Sequence, residues 1–301
     1  MKKRRRTDDL ITEGINPRTK DIDKNSTIKI IEVISKEDKK IAEAVSKERK
    51  NLARAVDLIV NHLGKGGRLI FVGAGTSGRL GVMEAAECPP TFGTDPGLIQ
   101  GVIAGGKKAL WRSIEGAEDS KSEAQSNLAR LKLDGKDVIV GIAASVNTPF
   151  VEGALVYATK KGCGRILITC NPVSDSNLAD ICICPIVGPE VIVGSTRMKA
   201  GTATKMVLNM LTTASMIKLG KTYKNLMVDV QPRSDKLRER AARIVMHVLA
   251  IDRNKAYSLL KRSKWNVRLA IVMGSKTIGY TQAKEILSKH KGFLREALNS
   301  E

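Results

Sequence analysis

Five short apolar or β-branched runs dominate the middle of the chain, and most of them are separated by amphipathic helical stretches such as 123–133 and 150–161. The runs are residues 69–72, 98–104, 138–143, 165–169 and 181–187. Short runs that are apolar throughout and alternate with helices indicate a parallel sheet buried on both faces. The sequence therefore predicts an α/β fold with a five-stranded parallel sheet flanked by helices.

Helical patterns lie on both sides of this region. One begins at the capping residue types Ser26 and Thr27 and runs, with a break or two, to about residue 62. A long apolar helix is predicted over 200–219. Beyond Pro232 the pattern is purely helical, over 234–249, 253–262, 266–277 and 281–290, and predicts a small bundle with a weak resemblance to ubiquitin-associated-type modules. We predict a tail and lead over 1–25, a sheet domain over 26–230 and a C-terminal helical domain over 235–301.

The 301-residue chain carries a formal net charge of +20, which is compatible with nucleic acid, an anionic surface or an anionic substrate as a partner. Aromatic residues make up only 3% of it, and no basic-aromatic pattern that would stack bases is visible. The sequence therefore favours a solvated Lys-rich exterior around a site for an anionic small molecule, and does not favour nucleic-acid binding.

Several classes of protein are excluded by simple patterns. No apolar run reaches the roughly 20 residues that cross a bilayer. The basic start leads into Asp8 and Asp9 and is not a secretory signal. The 5 cysteines have no framework spacing, and the 3 histidines lie outside any glycine-rich or acidic motif. We expect a cytoplasmic protein without a metal site and without a membrane partner.

A glycine-rich loop follows the first predicted strand and reads GAGTSG over residues 73–78. Its spacing matches the dinucleotide-binding fingerprint, but that site needs an acidic residue at the end of the second strand, where this chain has glycines. Thr76 and Ser77 instead lie at a predicted helix start, where free N–H groups and the helix dipole favour an anion. The loop therefore predicts a site for a single phosphate monoester.

A second loop of the same kind, ASVNTP over residues 144–149, follows the third predicted strand. Ser145 and Thr148 flank the next helix start, and Pro149 suits its first turn. Helix capping alone would explain either loop. The two together favour a shared phosphate, because the carboxyl ends of neighbouring parallel strands meet at one edge of the sheet.

These loops resemble those of sugar isomerase (SIS) domains, which bind phosphosugars on a flavodoxin-like five-stranded sheet. The chain resembles one branch more closely, the N-acetylmuramic acid 6-phosphate etherases. The matching stretches cover almost the whole chain and include TEGINPRT at 12–19, GAGTSGR at 73–79, ECPPTFG at 87–93, EGAEDS at 115–120, GSTRMKAGT at 194–202 and NLMVDV at 225–230. Vertebrate glucokinase regulatory proteins share part of this signature but resemble two such domains fused.

The resemblance implies removal of D-lactate from the C3 ether oxygen of N-acetylmuramic acid 6-phosphate, which gives N-acetylglucosamine 6-phosphate. The accessible route opens the sugar to its C1 aldehyde, which acidifies the C2 proton. A base takes that proton, an acid protonates the ether oxygen, lactate leaves, and water adds to the unsaturated aldehyde. This chemistry requires no cofactor and no metal.

Such a step needs two carboxyl groups of different pKa. Glu87 precedes Cys88, Pro89 and Pro90, where we expect the helix to end at a partly apolar turn that raises the pKa of the glutamate. By resemblance Glu87 protonates the departing lactate, and Glu118 is the base that takes the C2 proton.

The resemblance also implies a set of substrate contacts and counter-charges. Arg79, Arg197 and Lys199 are the candidate counter-charges for the phosphate, since Val146 and Asn147 replace the Gly-Arg pair that is usual in the second loop of the family. The predicted substrate and phosphate contacts are Gly75, Thr76, Ser77, Gly78, Arg79, Ser145, Thr148, Ser195, Thr196, Lys199 and, as a weaker candidate for ring opening, Glu190. Glu84, Glu115 and Asp119 are interpreted as structural.

Other functions remain open at this point. One is a non-catalytic regulatory protein that senses phosphosugars, and another is an aldose–ketose isomerase, which also abstracts a C2 proton. No helix-turn-helix pattern precedes the sheet, and an isomerase has no use for the acid of the ECPP motif. SIS relatives pair through helices beside the site, so we expect a homodimer, with the apolar face of residues 206–219 as a candidate contact.

Overall fold

The computed structural model describes residues 10–145, 148–173, 177–232 and 234–300. The chain forms two compact units, one of Met1–Ala86 with Gly97–Thr212 and the other of Glu87–Pro96 with Thr213–Glu301. The first unit contains the sheet, and the second is helical.

One parallel sheet forms the centre of the first unit. Its strands are β1 Leu69–Gly73, β2 Ile99–Ile103, β3 Val138–Ile142, β4 Gly164–Ile168 and β5 Ile181–Ile183, in the order β2-β1-β3-β4-β5. Every residue of β1 and β3 is buried, which confirms the predicted sheet covered on both faces. The strand order reverses between β1 and β3, and in open α/β sheets ligands bind outside the carboxyl ends of the strands at such a reversal.

The last strand is shorter than the sequence predicts. The apolar run extends to Val187, but β5 pairs with β4 only over Ile181–Ile183. Pro185 has no N–H group to donate to a neighbouring strand, so the run leaves the sheet before it. The apolar composition of the run did not indicate where β5 ends.

Six helices begin in the described part of the first unit. They are α1 Thr27–Lys47, α2 Arg49–Gly64, α3 Gly75–Phe92, α4 Lys121–Arg130, α5 Pro149–Lys160 and α6 Lys199–Lys218. Leu128 of α4 and Leu155 of α5 are fully buried in one cluster with Ile139 of β3. On β2, a Cβ at Gly101 would lie 2.6 Å from the Cα of Val82. Glycine at that position therefore allows α3 to lie directly against the strand.

The end of α3 corrects the expectation that the helix stops at the ECPP motif. Pro89 and Pro90 both lie inside α3, which continues to Phe92. Their missing N–H groups leave two helical hydrogen bonds unmade, but the carbonyl of Pro89 still accepts from the N–H of Gly93. Gly93, at φ 62°, provides the left-handed residue that ends the helix.

The second unit contains a bundle of short helices. They are α7 Asp235–Leu249, α8 Arg253–Arg262, α9 Val267–Lys276, α10 Tyr280–Lys289 and α11 Leu294–Asn299. Ser234, Asp252 and Asn266 each accept a backbone N–H at the start of a helix, as their residue types predict. The short α11 was not predicted; it buries Leu294 and Ala297. None of the described helices combines the length and apolarity required to cross a membrane.

Candidate active site

A cleft of ≈ 290 Å³ opens beside the carboxyl ends of β1 and β3. Four parts of the first unit supply most of its lining: the N-terminal segment (residues 10–26), the start of α3, the arm between β2 and α4 (residues 104–120), and the loop between β3 and α5. The polar lining residues among those described are Glu13, Thr76, Ser77, Arg79, Ser113, Glu118, Ser145, Thr148 and Thr196.

The first glycine-rich loop lies in this cleft as the sequence predicts. Gly75, Thr76 and Ser77 all line it, and α3 begins at Gly75, two residues after β1 ends. The first N–H groups of a helix have no partner within the helix and favour an anion. Gly78 does not line the cleft, because it packs against the strand: a Cβ there would lie 2.6 Å from the carbonyl oxygen of Gly73.

The second loop contributes Ser145 and Thr148 to the same cleft. Thr148 is the N-cap residue of α5, but its side chain makes no capping hydrogen bond, and Pro149 occupies the first turn. Capping therefore does not account for this hydroxyl, which is available to a ligand. Val146 and Asn147, the positions at which the chain departs from the usual second loop, lie outside the described residues.

Arg79 lines the cleft, but its guanidinium is already engaged. Nε lies 3.3 Å from the carbonyl oxygen of Leu110, and Nη2 lies 3.2 Å from that of Arg112. Both carbonyls belong to the arm. Arg79 therefore joins the start of α3 to the arm, a role that the counter-charge prediction did not include.

Glu118 is carried by the same arm. It lies in the single-turn 3-10 helix Ala117–Asp119, is exposed to solvent and lines the cleft. A glycine in the left-handed backbone conformation precedes each of the two 3-10 helices of the arm: Gly105 at φ 77° and Gly116 at φ 75°. The N–H of Gly105 is held by Oε1 of Glu123 at 3.2 Å. The structure thus brings the predicted base to the predicted phosphate loops.

Lys199 and Glu190 do not line the cleft, which corrects their prediction as substrate contacts. Lys199 is buried, and its Nζ lies 2.8 Å from Oε2 of Glu37. Glu190 is also buried, and its carboxylate accepts the backbone N–H groups of Lys199 and Ala200 at the start of α6. Both side chains are therefore committed to the interior, where they hold the first turn of this helix.

Glu37 is the centre of that buried network. Burial by itself would raise its pKa, but hydrogen bonds from Arg18, Lys199, Lys40 and Asn16 outweigh burial and hold the pKa of this carboxyl well below its ordinary value. Burial raises the pKa of Glu190, and the two backbone N–H groups that it accepts only partly oppose this. Glu37 is therefore ionised at neutral pH, as an anion held by three cations.

Some of the remaining predicted residues line the cleft and others do not. Thr196 lines the cleft, whereas Ser195 and the exposed Arg197 do not. Glu87 belongs to the second unit, lies on α3 and is exposed to solvent, so the expectation of a partly apolar turn around it is wrong. Its role as the acid stays a prediction. Glu84, interpreted as structural, accepts hydrogen bonds from Lys205 and Thr212.

The sequence reasoning missed Glu13 as a residue of the cleft. It follows Thr12, whose N–H donates to Oδ1 of Asn171 at 3.3 Å and whose hydroxyl accepts from Nδ2 of Asn171 at 2.9 Å. Thr12 and Asn171 are buried. The TEGINPRT motif was visible as part of the resemblance, but nothing in its residue types indicated that it reaches the edge of the sheet.

The sheet order and the family comparison first define the class of protein. The model described as "Glucokinase regulatory protein N-terminal SIS domain" matches residues 51–159, which include β1, β2, β3 and both predicted phosphate loops. A solved structure of a putative sugar-phosphate isomerase from Listeria monocytogenes is 18% identical, covers 66% of this chain and 94% of that one, and superposes with a TM-score of 0.48. The sheet order defines an α/β protein, and the family match shows that residues 51–159 are similar to an SIS domain.

Full-length relatives define the family within that class. The chain is 51% identical over 292 residues to the N-acetylmuramic acid 6-phosphate etherase of Clostridium botulinum strain Langeland, with 97% of each chain covered. It is 51% identical over 290 residues to N-acetylmuramic acid 6-phosphate etherase 2 of Vibrio cholerae, covering 96% of this chain and 94% of that protein. The chain belongs to the N-acetylmuramic acid 6-phosphate etherase family.

Proposed function

We propose that this protein is a carbon–oxygen lyase that cleaves the D-lactyl ether of N-acetylmuramic acid 6-phosphate with water, giving N-acetylglucosamine 6-phosphate and D-lactate. The reaction serves amino-sugar recycling from peptidoglycan. The observation that carries the proposal is one cleft in which the Glu118 carboxylate and two hydroxyl-bearing helix starts come together, in a chain that is 51% identical to etherases.

The phosphate would be bound at the two helix starts. Thr76 and Ser77 on α3 and Ser145 and Thr148 beside α5 offer hydroxyl donors, and the first N–H groups of each helix add to them. With Arg79 engaged by carbonyls of the arm, hydroxyls and amides carry most of the anion binding. Charged hydrogen bonds of this kind are stronger than neutral ones.

Glu118 would act on the open-chain sugar. It takes the C2 proton, the electron pair forms the C2–C3 double bond, and the C3–O bond breaks with its electrons on the lactate oxygen. That oxygen receives a proton from an acid, the role we propose for Glu87. Water then adds at C3: its hydroxyl bonds to the carbon and its remaining proton goes to the Glu87 carboxylate, which regenerates the acid. C2 regains a proton from Glu118. No step calls for a cofactor, and general acid–base catalysis by positioned carboxyls contributes typically 10²–10⁴-fold.

The compartment and the assembly of the enzyme can also be proposed. We propose a cytoplasmic homodimer, because the substrate is a sugar phosphate and because the exposed apolar side chains of α6, Met210 and Ile217, lie seven residues apart and so on one face of the helix. The alternative is a regulatory protein without catalytic activity. Every observation on the described residues that fits this alternative is also explained by an etherase.

The direct test is product identification with the purified protein. Incubation with N-acetylmuramic acid 6-phosphate should yield equal amounts of D-lactate and N-acetylglucosamine 6-phosphate on chromatography. Binding without turnover would favour the regulatory protein, and a ketose phosphate product would favour an isomerase.

A further inference from the structure

The proposed reaction includes a step that falls to neither Glu118 nor Glu87. The C2 proton becomes acidic only after the ring opens and C1 becomes an aldehyde. Opening removes a proton from the C1 hydroxyl and adds one to the ring oxygen. Both oxygens are bonded to C1, so a single carboxylate placed beside C1 can make both transfers. Glu190 was the candidate by sequence, but its carboxylate is committed to the start of α6.

Among the described residues that line the cleft there are two carboxylates, Glu13 and Glu118. Neither has a hydrogen-bond donor or a cation among the described side chains and backbone groups. Two other acidic side chains of the same unit are engaged: Glu37 by three cations, and Glu115 by the hydroxyl of Ser113. An unengaged carboxylate that lines a cleft is available to a ligand.

Glu13 is also held in a defined place. The neighbouring Thr12 is bound to Asn171, and Nδ2 of Asn171 donates at 2.8 Å to the carbonyl of Ala144, the residue before Ser145. The chain beside Glu13 is therefore tied to the second phosphate loop. On the other side lies Gly194, where a Cβ would be 3.0 Å from Oε2 of Glu13. Glycine at that position, at φ 72°, leaves room for the carboxylate.

We propose that Glu13 is a further catalytic residue, which opens the sugar ring of the bound substrate. This rests on the proposed etherase function. The carboxylate takes the proton of the C1 hydroxyl, the C1–O5 bond breaks with its electron pair on O5, and Glu13 returns the proton to O5. The C1 carbonyl forms, and the carboxylate is regenerated. Glu13 thus acts at C1, and Glu118 acts next at C2.

A Glu13→Gln variant and two substrates test this assignment. The amide keeps the shape of the side chain but takes no proton. With closed-ring N-acetylmuramic acid 6-phosphate, lactate release should fall by roughly 10²-fold. With the open-chain 2,3-unsaturated aldehyde 6-phosphate, hydration to N-acetylglucosamine 6-phosphate should stay within about twofold of wild type. A Glu118→Gln variant should slow both reactions, because Glu118 also delivers a proton to C2 during hydration.

Controls separate catalysis from folding. Asp21→Asn changes an exposed carboxylate of the same N-terminal segment, which pairs with the exposed Lys24, and should leave both rates unchanged. The thermal midpoint of Glu13→Gln should match wild type. Lactate release at the wild-type rate, or equal slowing with both substrates, would overturn the role of Glu13. A wild-type protein that releases no lactate would overturn the proposed function itself.

Discussion

At the scale of single residues, the phosphate site that we propose consists of hydroxyls rather than cations. Thr76, Ser77 and Thr148 line the cleft, whereas the guanidinium of Arg79 is directed at two carbonyls and Lys199 is buried against Glu37. Two of the three candidate counter-charges, Arg79 and Lys199, are thus used in structural contacts. We therefore expect the affinity for phosphate to depend on a few neutral donors at helix starts.

Replacing those donors should weaken binding selectively. We expect Ser77→Ala and Thr148→Ala each to raise KM for the phosphorylated sugar by about 10- to 150-fold, with little change in kcat, because each removes one hydrogen bond to a charged group, worth about 1.5–3 kcal/mol. The measurement is steady-state kinetics on the 6-phosphate and on its unphosphorylated analogue. Ser122→Ala, an exposed hydroxyl on α4, is the control. An equal rise in KM for both sugars would count against a phosphate site.

At the scale of elements, the buried Glu37 carboxylate joins three parts of the first unit. Arg18 comes from the N-terminal segment, Lys40 from α1 itself, and Lys199 from the start of α6. Breaking a buried, hydrogen-bonded charge pair by removing one partner costs about 3–5 kcal/mol. The network therefore holds the segment that carries Glu13 and the helix start that Glu190 caps.

This network predicts a pH-dependent stability. The pKa of Glu37 is held below its ordinary 4.5, so its contribution is present above that value and is lost as the pH falls through the lower, folded-state pKa. Glu37→Gln should be less stable than wild type by about 3–5 kcal/mol at pH 7, and the difference should shrink below pH 4.5. Urea unfolding at several pH values measures it.

A matched variant on the same helix provides the control. Glu32 on α1 forms an exposed pair with Lys29, and exposed pairs are worth about 0–1 kcal/mol. Glu32→Gln should therefore change stability little at any pH. Equal losses at pH 7 for the two variants would show that the Glu37 network does not stabilise the fold.

Local sequence patterns predicted the parallel sheet and the two loops. Contacts between residues far apart in the chain determined the other features of the site. The two loops could be placed at the sheet edge because, in each of them, hydroxyls and a helix start lie within a few residues of a strand end. Lys199 was misassigned because its partner Glu37 lies 162 positions away. Glu13 was missed because its place depends on a Thr12–Asn171 pair 159 positions apart. Neither pairing has a period or spacing that a sequence pattern reveals.

At the scale of the whole molecule, the exposed apolar side chains of α6 raise the question of assembly. Met210 and Ile217 are 42% and 51% exposed, and scattered apolar side chains are normal on monomers. Their seven-residue spacing on one helix face fits an interface between two copies of the chain. We therefore propose that this face of α6 forms the interface of a homodimer.

Charge placed on that face should separate the copies. We expect the wild type to be a dimer by light scattering, and the Met210→Lys, Ile217→Lys double variant to be a monomer, because buried lysines at an interface lose hydration without a partner. Val156→Lys replaces another exposed apolar side chain, on α5, and should remain a dimer. A monomeric wild type would contradict the proposal outright.

The central claim is that Glu118 removes the C2 proton of a sugar anchored by hydroxyl-bearing helix starts. The most direct measurement is the reaction in D₂O, with nuclear magnetic resonance of the sugar product. The exposed Glu118 carboxyl exchanges its proton with solvent before it reprotonates C2. Wild type should therefore place deuterium at C2 of N-acetylglucosamine 6-phosphate as lactate is released, and Glu118→Gln should lose both signals together. Lactate release from wild type with hydrogen retained at C2 would contradict the account.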